Sequence, residues 1–361
     1  MMVMDHGKHV FVAMSGGVDS AVCAARLLDE GYRVTGIHME TWKDPEWEKQ
    51  IPPLDESVRL AQHTAEFLGI PFVSIDLRER FFKDVVQTFI QDYLKGQTPN
   101  PCLFCNPQIK WGVLQSYALE NGGDYFATGH YARISRLDSG KVALLRGVDR
   151  AKDQSYVLSM LSQQQLSRSL LPIGSMTKEE VRQQAQQFSL QVADRQDSQD
   201  LCFLGDVDYR DFLARFAPTA YQPGEIITTD GKVVGEHQGL ALYTVGQRKG
   251  IRVAAFEPYY VVEKDIEHNR LVIGFSDRAQ NSDLTACYAN WIGEEPPRTG
   301  QSYDVMIRYR AKPASAVLVS VNRDEFQLEF KEQLRGITPG QVAALYDGEI
   351  CLGGGVIQTS G

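Results

Sequence analysis

Two groups of residues in this chain have the types and spacing to do chemistry. The first is Ser15-Gly16-Gly17-Val18-Asp19-Ser20, which follows a short apolar run and leads straight into a helix-patterned stretch. A helix N-terminus presents unpaired N–H groups and partial positive charge, so it holds anions. Gly16 and Gly17 let the backbone approach a phosphate closely. The hydroxyls of Ser15 and Ser20 add donors. Asp19 is an odd neighbour for a phosphate and suits a cap, or a partner for a metal ion that bridges phosphates. The stretch lacks the Gly-Lys-Ser/Thr of a Walker loop and the G-x-G-x-x-G of a dinucleotide fold. The bland alternative is a glycine-rich turn with a serine cap.

The second group is cysteine. Cys102 and Cys105 sit in "TPNPCLFCN", residues 98–106, and Cys202 follows an acidic run in "DRQDSQDLCFLG", residues 194–205. Structural zinc needs four ligands, and no second C-x-x-C or His pair stands at finger spacing. A thioredoxin-type dithiol opens a helix directly after a strand, whereas proline and asparagine come first here. What remains open is a pair of ordinary loop cysteines, or converging thiols for sulfur or acyl transfer, one carrying sulfur and the other forming a disulfide that releases it. Cys202 in "LCFL" also reads as a plain buried strand residue.

These residues need a scaffold. Residues 9–15, 33–40, 71–77 and 124–132 read as strands, and 19–31, 55–70 and 153–168 as helices, with Thr177 and Glu180 forming a capping box ahead of another helix. Strands separated by helices of this length imply βαβ units and a parallel sheet. Past about residue 205 the texture turns to short β-rich runs between Gly and Asn turns, including the hairpin signal "TTDGKVV". The expected fold is α/β: a parallel-sheet domain over 1–205, then two small β-rich domains over 206–280 and 281–361, the last a β-barrel. "MIRYRAK" reads as a strand whose Arg308, Arg310 and Lys312 share one face, suited to phosphates or simply solvated.

The chain has 361 residues, 43% hydrophobic and 23% charged, as in a soluble protein of two or three domains. Its net charge of −9 argues against non-specific nucleic-acid binding but leaves room for a local basic face. The start is too mixed for a signal peptide, and no apolar stretch reaches membrane-spanning length. Six cysteines without framework spacing point to a reduced, cytoplasmic protein with no membrane partner.

SGG-x-D-S after the first strand resembles the pyrophosphate (PP) loop of the N-type ATP pyrophosphatases, which cleave ATP between the α- and β-phosphates and adenylate a carbonyl oxygen. "TPNPCLFCNPQIKW", "FATGHYARI", "KDQSYVLSMLSQQQLSRSLLPIG", "DSQDLCFLG", "GQRKG" and "RYR" follow in order. Over nearly its whole length the sequence thereby resembles the tRNA-specific 2-thiouridylases, the MnmA family. The resemblance implies ATP-dependent 2-thiolation of the wobble uridine in the tRNA anticodon stem-loop, with ATP and Mg²⁺, and a persulfide donated by a sulfur-relay protein or cysteine desulfurase. It implies Cys105 as the catalytic cysteine and Cys202 as the persulfide carrier. ATP would rest on Ala13, Met14, Ser15, Gly16, Gly17, Val18, Asp19, Ser20, Met39 and Gly129. The base would face Asn100, Pro101 and Cys102. Lys152, Asp153, Gln154, Arg308 and Tyr309 would touch tRNA, with smaller parts for His130 and Gln341.

The chain departs from the family pattern at Cys102, where many members carry an acidic residue. It also departs in the insert "TWKDPEWEKQIPP" and in "IRVAAFEP" after "GQRKG". Three readings compete with this one. Cys102, Cys105 and Cys202 could ligate a [4Fe–4S] cluster that supplies sulfide. The loop could serve an amide-forming adenylating synthetase on a small molecule, which needs neither cysteine. A tRNA-binding protein with a dead loop would not need Ser15 to Ser20 intact.

Overall fold

The computed structural model describes residues 7–44, 56–193, 195, 201–205 and 207–359. The acidic run at 196–200 and most of the insert after the second strand lie outside these residues.

The first domain is built on five parallel strands in the order β3-β2-β1-β4-β7: β1 (His9–Ala13), β2 (Arg33–Glu40), β3 (Phe72–Asp76), β4 (Tyr125–Ala127) and β7 (Ser169–Leu170). Side chains alternate across a strand, and β1 shows the consequence. Val10 and Val12 face one layer, with helix α1 (Val18–Asp29), α2 (Glu56–Leu68) and, later in the chain, Lys178–Gln187. Phe11 faces the other layer, formed by α3 (78–94) and α4 (102–120), through Phe81, Phe89, Leu103, Ile109 and Trp111. The helix Lys178–Gln187 opens with the expected capping box, Thr177 Oγ1 accepting from Glu180 N and the Glu180 carboxylate accepting from Thr177 N.

The strand expected over 124–132 breaks at Ala127. Residues 128–131 form a loop, and β5 (Ala132–Arg136) with β6 (Val142–Arg146) makes a hairpin that leaves the parallel sheet. The helix expected over 153–168 is a short 3₁₀ turn (Tyr156–Leu158) and a five-residue helix (Gln163–Ser167) that Ser162 caps. Residues 153–155 are fixed instead by Asp153, which accepts from the N–H of Gly147 and of Ser155.

The hairpin expected at "TTDGKVV" is present as β8 (Gly224–Thr228) and β9 (Val233–His237). With β10 (Tyr260–Asp265) and β11 (Arg270–Gly274) it forms a four-stranded sheet, order β10-β11-β8-β9, over Ile226, Val261, Leu271 and Ile273. The last domain is a closed six-stranded antiparallel barrel: β12 (Gln280–Trp291), β15 (Glu325–Arg335), β14 (Ala314–Val321), β13 (Ser302–Met306), β16 (Val342–Asp347) and β17 (Ile350–Thr359), which returns to β12. Closure leaves no open edge along that ring. The β5–β6 hairpin adds to β17 through Ile350 opposite Leu145. Val342, Ala344, Tyr346 and Val356 of the barrel share one core with Phe81, Trp111 and Tyr156 of the first domain.

Candidate active site

In an open α/β sheet, ligands bind beyond the carboxyl ends of strands where the strand order reverses. Here the reversal is at β1, flanked by β2 and β4. Ala13 to Gly17 leave the carboxyl end of β1, Met39 sits near the end of β2, and Gly129 follows β4. The proposed ATP residues therefore lie along one edge.

The loop is held by its own groups. Ser20 Oγ accepts from Ser15 N (3.2 Å) and donates to Gly17 O (3.0 Å). Gly17 caps α1 with no side-chain bond, which leaves first-turn N–H groups for an anion. Gly16 has φ of +77°, and a Cβ there would fall 2.6 Å from Ser57 O. A Cβ on Gly129 would fall 2.8 Å from the Asp19 carbonyl carbon, so Gly129 lets the β4 loop close on α1. Asp19 is not the cap. Its carboxylate accepts from Lys178 Nζ at 2.7 and 2.9 Å and from Tyr131 Oη at 2.7 Å. Lys178 escaped the sequence reading because it lies in a helix 159 residues downstream. Arg195 Nη1 donates to Gly16 O at 2.9 Å.

The thiols occupy a second pole. Cys102 opens α4 and Cys105 lies buried one turn in, while Cys202 is exposed. Asn100 Oδ1 accepts from Cys102 N (3.2 Å), and Cys105 N donates to Pro101 O (2.8 Å), so "NPCLFC" winds directly into the helix. Burial pushes the Cys105 thiol up to about 12, with Lys110 pulling the other way and Cys202 and Cys102 adding to the rise. Cys202 keeps its side chain at the surface, but the protein packed around it still desolvates the thiol and raises it to about 11, with Cys102 adding to the rise. Cys102 is raised by burial as well, again opposed by Lys110. Cys202 is thus coupled electrostatically to Cys102 and Cys105, nearly a hundred residues earlier in sequence. At pH 8 a thiol with a pKa of 12 is ionised in about one molecule in ten thousand, so burial outweighs the lysine and the resting thiol is protected. Lys110 is the residue that the sequence reading missed here; the only signal was a cation one turn beyond the cysteines.

Among the described residues no group of three or more His, Cys, Asp or Glu is gathered to hold a metal ion. The three thiols as arranged do not fit a [4Fe–4S] cluster. Asp19, paired with Lys178 on both oxygens, is likewise not a free metal ligand.

The remaining candidates divide. His130 is buried, bonded at Nδ1 to Thr128 Oγ1 (2.7 Å) and set 5.5 Å from the Trp111 ring; burial holds it neutral. The side chain of Asp153 is 6% exposed and engaged with Ser155, Gly147 and Arg146. Gln154 pairs with the Tyr131 backbone in both directions. The stretch from Arg308 to Lys312 is not a strand: β13 ends at Met306 and a turn follows, with Arg310 at φ 63° and Pro313 next. The three cations therefore do not alternate on one face. Arg308 donates to Val245 O and Thr338 Oγ1, tying barrel to middle sheet. Tyr309 stacks on Tyr156 at 6.3 Å.

Gln341 has an unexpected position. Its Nε2 donates to Thr98 O (2.7 Å), and Thr98 N donates to Pro339 O (2.9 Å). Lys264 of the middle sheet donates to Tyr243 O and reaches Gln97 O at 3.5 Å. The middle sheet and the barrel thus both grip residues 97–98 of the first domain, just ahead of Asn100.

The chain matches three family models. Residues 8–206 match the tRNA methyl transferase HUP domain, 210–275 the tRNA methyl transferase PRC-barrel domain, and 281–357 the Aminomethyltransferase beta-barrel domain. It is 45% identical to the tRNA-specific 2-thiouridylase MnmA of Carboxydothermus hydrogenoformans, over 97% of this chain and 98% of that protein. The protein of that name from Acetivibrio thermocellus is 42% identical over 97% and 99%. That from Klebsiella pneumoniae is 39% identical over 97% of each.

Proposed function

This chain belongs to the tRNA-specific 2-thiouridylase family and catalyses ATP-dependent 2-thiolation of tRNA, and we propose that its target is the wobble uridine, with Cys202 carrying the sulfur and Cys105 releasing it. ATP binding follows from the HUP domain. The first-turn N–H groups of α1 and the Ser15 and Ser20 hydroxyls bind its phosphates. Lys178 neutralises Asp19, so the loop presents no net negative charge to an anion. Mg²⁺ would ride on the phosphates, lowering the charge that the loop must meet.

The target base leaves its stack to reach the thiols, as base chemistry requires. The uracil O2 attacks the α-phosphate and pyrophosphate departs, leaving C2 electrophilic with AMP as leaving group. A sulfur-relay protein or cysteine desulfurase loads Cys202 as a persulfide; its exposure leaves it open to such a donor. The terminal sulfur attacks C2 and expels AMP, after which Cys105 attacks the Cys202 sulfur and frees the thiolated base; or Cys105 attacks the Cys202 sulfur first and frees sulfide, which displaces AMP from C2. Either route ends in a Cys105–Cys202 disulfide that a reductant reopens. In this reading Asn100, Pro101 and Cys102 receive the base ahead of Cys105, Lys152, Gln154 and Tyr309 contact tRNA, and the buried Gln341 acts through its bond to Thr98 O. Among the described residues no helix is long and apolar enough to cross a membrane.

The observation that carries the reading is that Cys105 lies in one packed core with Phe203 and Leu204, the neighbours of Cys202, nearly a hundred residues away in sequence. A reaction with purified protein, tRNA, ATP and a persulfide donor tests it, read by nucleoside mass spectrometry. Wobble 2-thiouridine, AMP and pyrophosphate are expected. Full turnover by Cys105→Ser or Cys202→Ser would refute the assignment.

A further inference from the structure

We propose that Lys110 is the positioning charge of the sulfur site: a widened stretch of α4 sets its ammonium under Cys105, where it stabilises the anionic sulfur that forms during transfer. Residues 106–114 are paired five apart rather than four, and the stretch closes with Gln115 N donating to Lys110 O. In an α-helix, residues five apart point about 140° away from each other, so Lys110 would face away from Cys105. In the widened helix they stack one turn above the other.

The sequence builds this widening. Pro107 has no N–H to continue regular pairing. Its carbonyl accepts instead from Gln165 Nε2 at 2.8 Å. Gly112 stands where a Cβ would fall 3.1 Å from that same oxygen. Widened turns of this kind recur at functional sites, where they re-aim a side chain.

The surroundings fit a charge aimed at sulfur. Lys110 is half-buried and, among the described residues, forms no hydrogen bond or ion pair. Its field reaches Cys102, Cys105 and Cys202, in each case favouring the thiolate, and adds to the burial that keeps His130 uncharged. A lysine without a carboxylate partner among the described residues is available for an anion that exists only during reaction. Thiolates beside Lys are the reactive ones.

The inference rests on Cys105 and Cys202 being the working thiols, but its test needs no turnover. Full-length protein, without ATP or tRNA, is treated with iodoacetamide from pH 6.5 to 10. Alkylation of Cys105 and Cys202 is followed on chymotryptic peptides. Lys110→Met should slow alkylation of Cys105 about tenfold at pH 8 and move its profile up by about one unit. Lys110→Arg should restore it to within about twofold, since it returns the charge. Lys110→Gln replaces the Met variant if that one fails to fold, as judged by melting. Overlapping pH profiles for wild type and the neutral variant would overturn the proposal. So would weakened ATP or tRNA binding with unchanged thiol reactivity, which would mark the lysine as a phosphate contact. If Cys105→Ser proves active while the profile still shifts, the assignment of the thiols fails and the lysine coupling stands.

Discussion

The phosphate loop and the thiol loop stand at opposite levels of readiness. At the phosphate loop the helix N-terminus is free, Asp19 is neutralised by Lys178, and glycines leave room for a ligand. Nothing there has to change protonation. At the thiol loop Cys105 and Cys202 rest protonated, raised by desolvation against the pull of Lys110. The loop also owes its position to two other domains, through Gln341 and Lys264. The contrast teaches that the phosphate loop is held by groups of its own domain, whereas the thiol loop is held by the assembled molecule. A thiol that stays protonated until substrate arrives is also shielded from oxidation.

The largest expected effect separates the two poles outright. Cys105→Ser and Cys202→Ser should each remove thiolation by more than about a thousandfold, since a hydroxyl neither carries nor releases sulfur. ATP affinity, measured by calorimetry, should stay within about twofold. Loss of ATP binding in these variants would break the separation. The converse variant is Gly129→Val, whose side chain would collide with the Asp19 and Ser20 backbone. Adenylation of tRNA, followed by pyrophosphate release, should fall about a hundredfold, while the alkylation profile of Cys105 holds.

A smaller effect tests the grip from the barrel. Gln341→Ala leaves Thr98 O without its donor, a loss worth about 1–3 kcal/mol. Thiolation should drop about tenfold with the KM for ATP unchanged. An equal rise in that KM would mean that the two poles are not independent.

The smallest is a pH effect on stability. Burial pushes Lys264 from 10.5 down to about 8. Between those values the unfolded chain binds a proton that the folded chain has released, so stability rises with pH across that window. Below pH 8 the cost of burying the ammonium is fully present. From pH 8 to 9.5 the melting temperature of the wild type should gain about 2 °C relative to Lys264→Met. Parallel melting curves would show that Lys264 is not buried as a cation.

The same contrast explains what was legible in the sequence. The phosphate pole is local: the strand, the glycine turn and α1 occupy residues 9–29, and each is read from periodicity and turn chemistry. The capping box at Thr177 was legible for the same reason. The partner of Asp19 was not, because a lysine on the face of a helix carries no sign of what it will meet. The strand read over 124–132 stops at Ala127, and the hairpin at 132–146 was not read at all, since its partner strand β17 lies about two hundred residues downstream. "MIRYRAK" has the composition of a strand, yet the left-handed Arg310 and the following proline turn it into a corner. The convergence of Cys202 on Cys105 came from resemblance; spacing alone left it open.

The shared core has a consequence for how the protein is made. Tyr346, Cys351 and Val356 close a face of the catalytic domain, and Ile350 completes the sheet begun by Leu145. A chain emerging from the ribosome N-terminus first therefore cannot finish its catalytic domain when that domain has been synthesised. Phe81, Trp111 and Tyr156 wait beside an uncovered surface until the last two strands are released. β16 and β17 act as the final staves of the first domain, so a chain that stops before Val342 yields not a two-domain enzyme but an unfinished first domain.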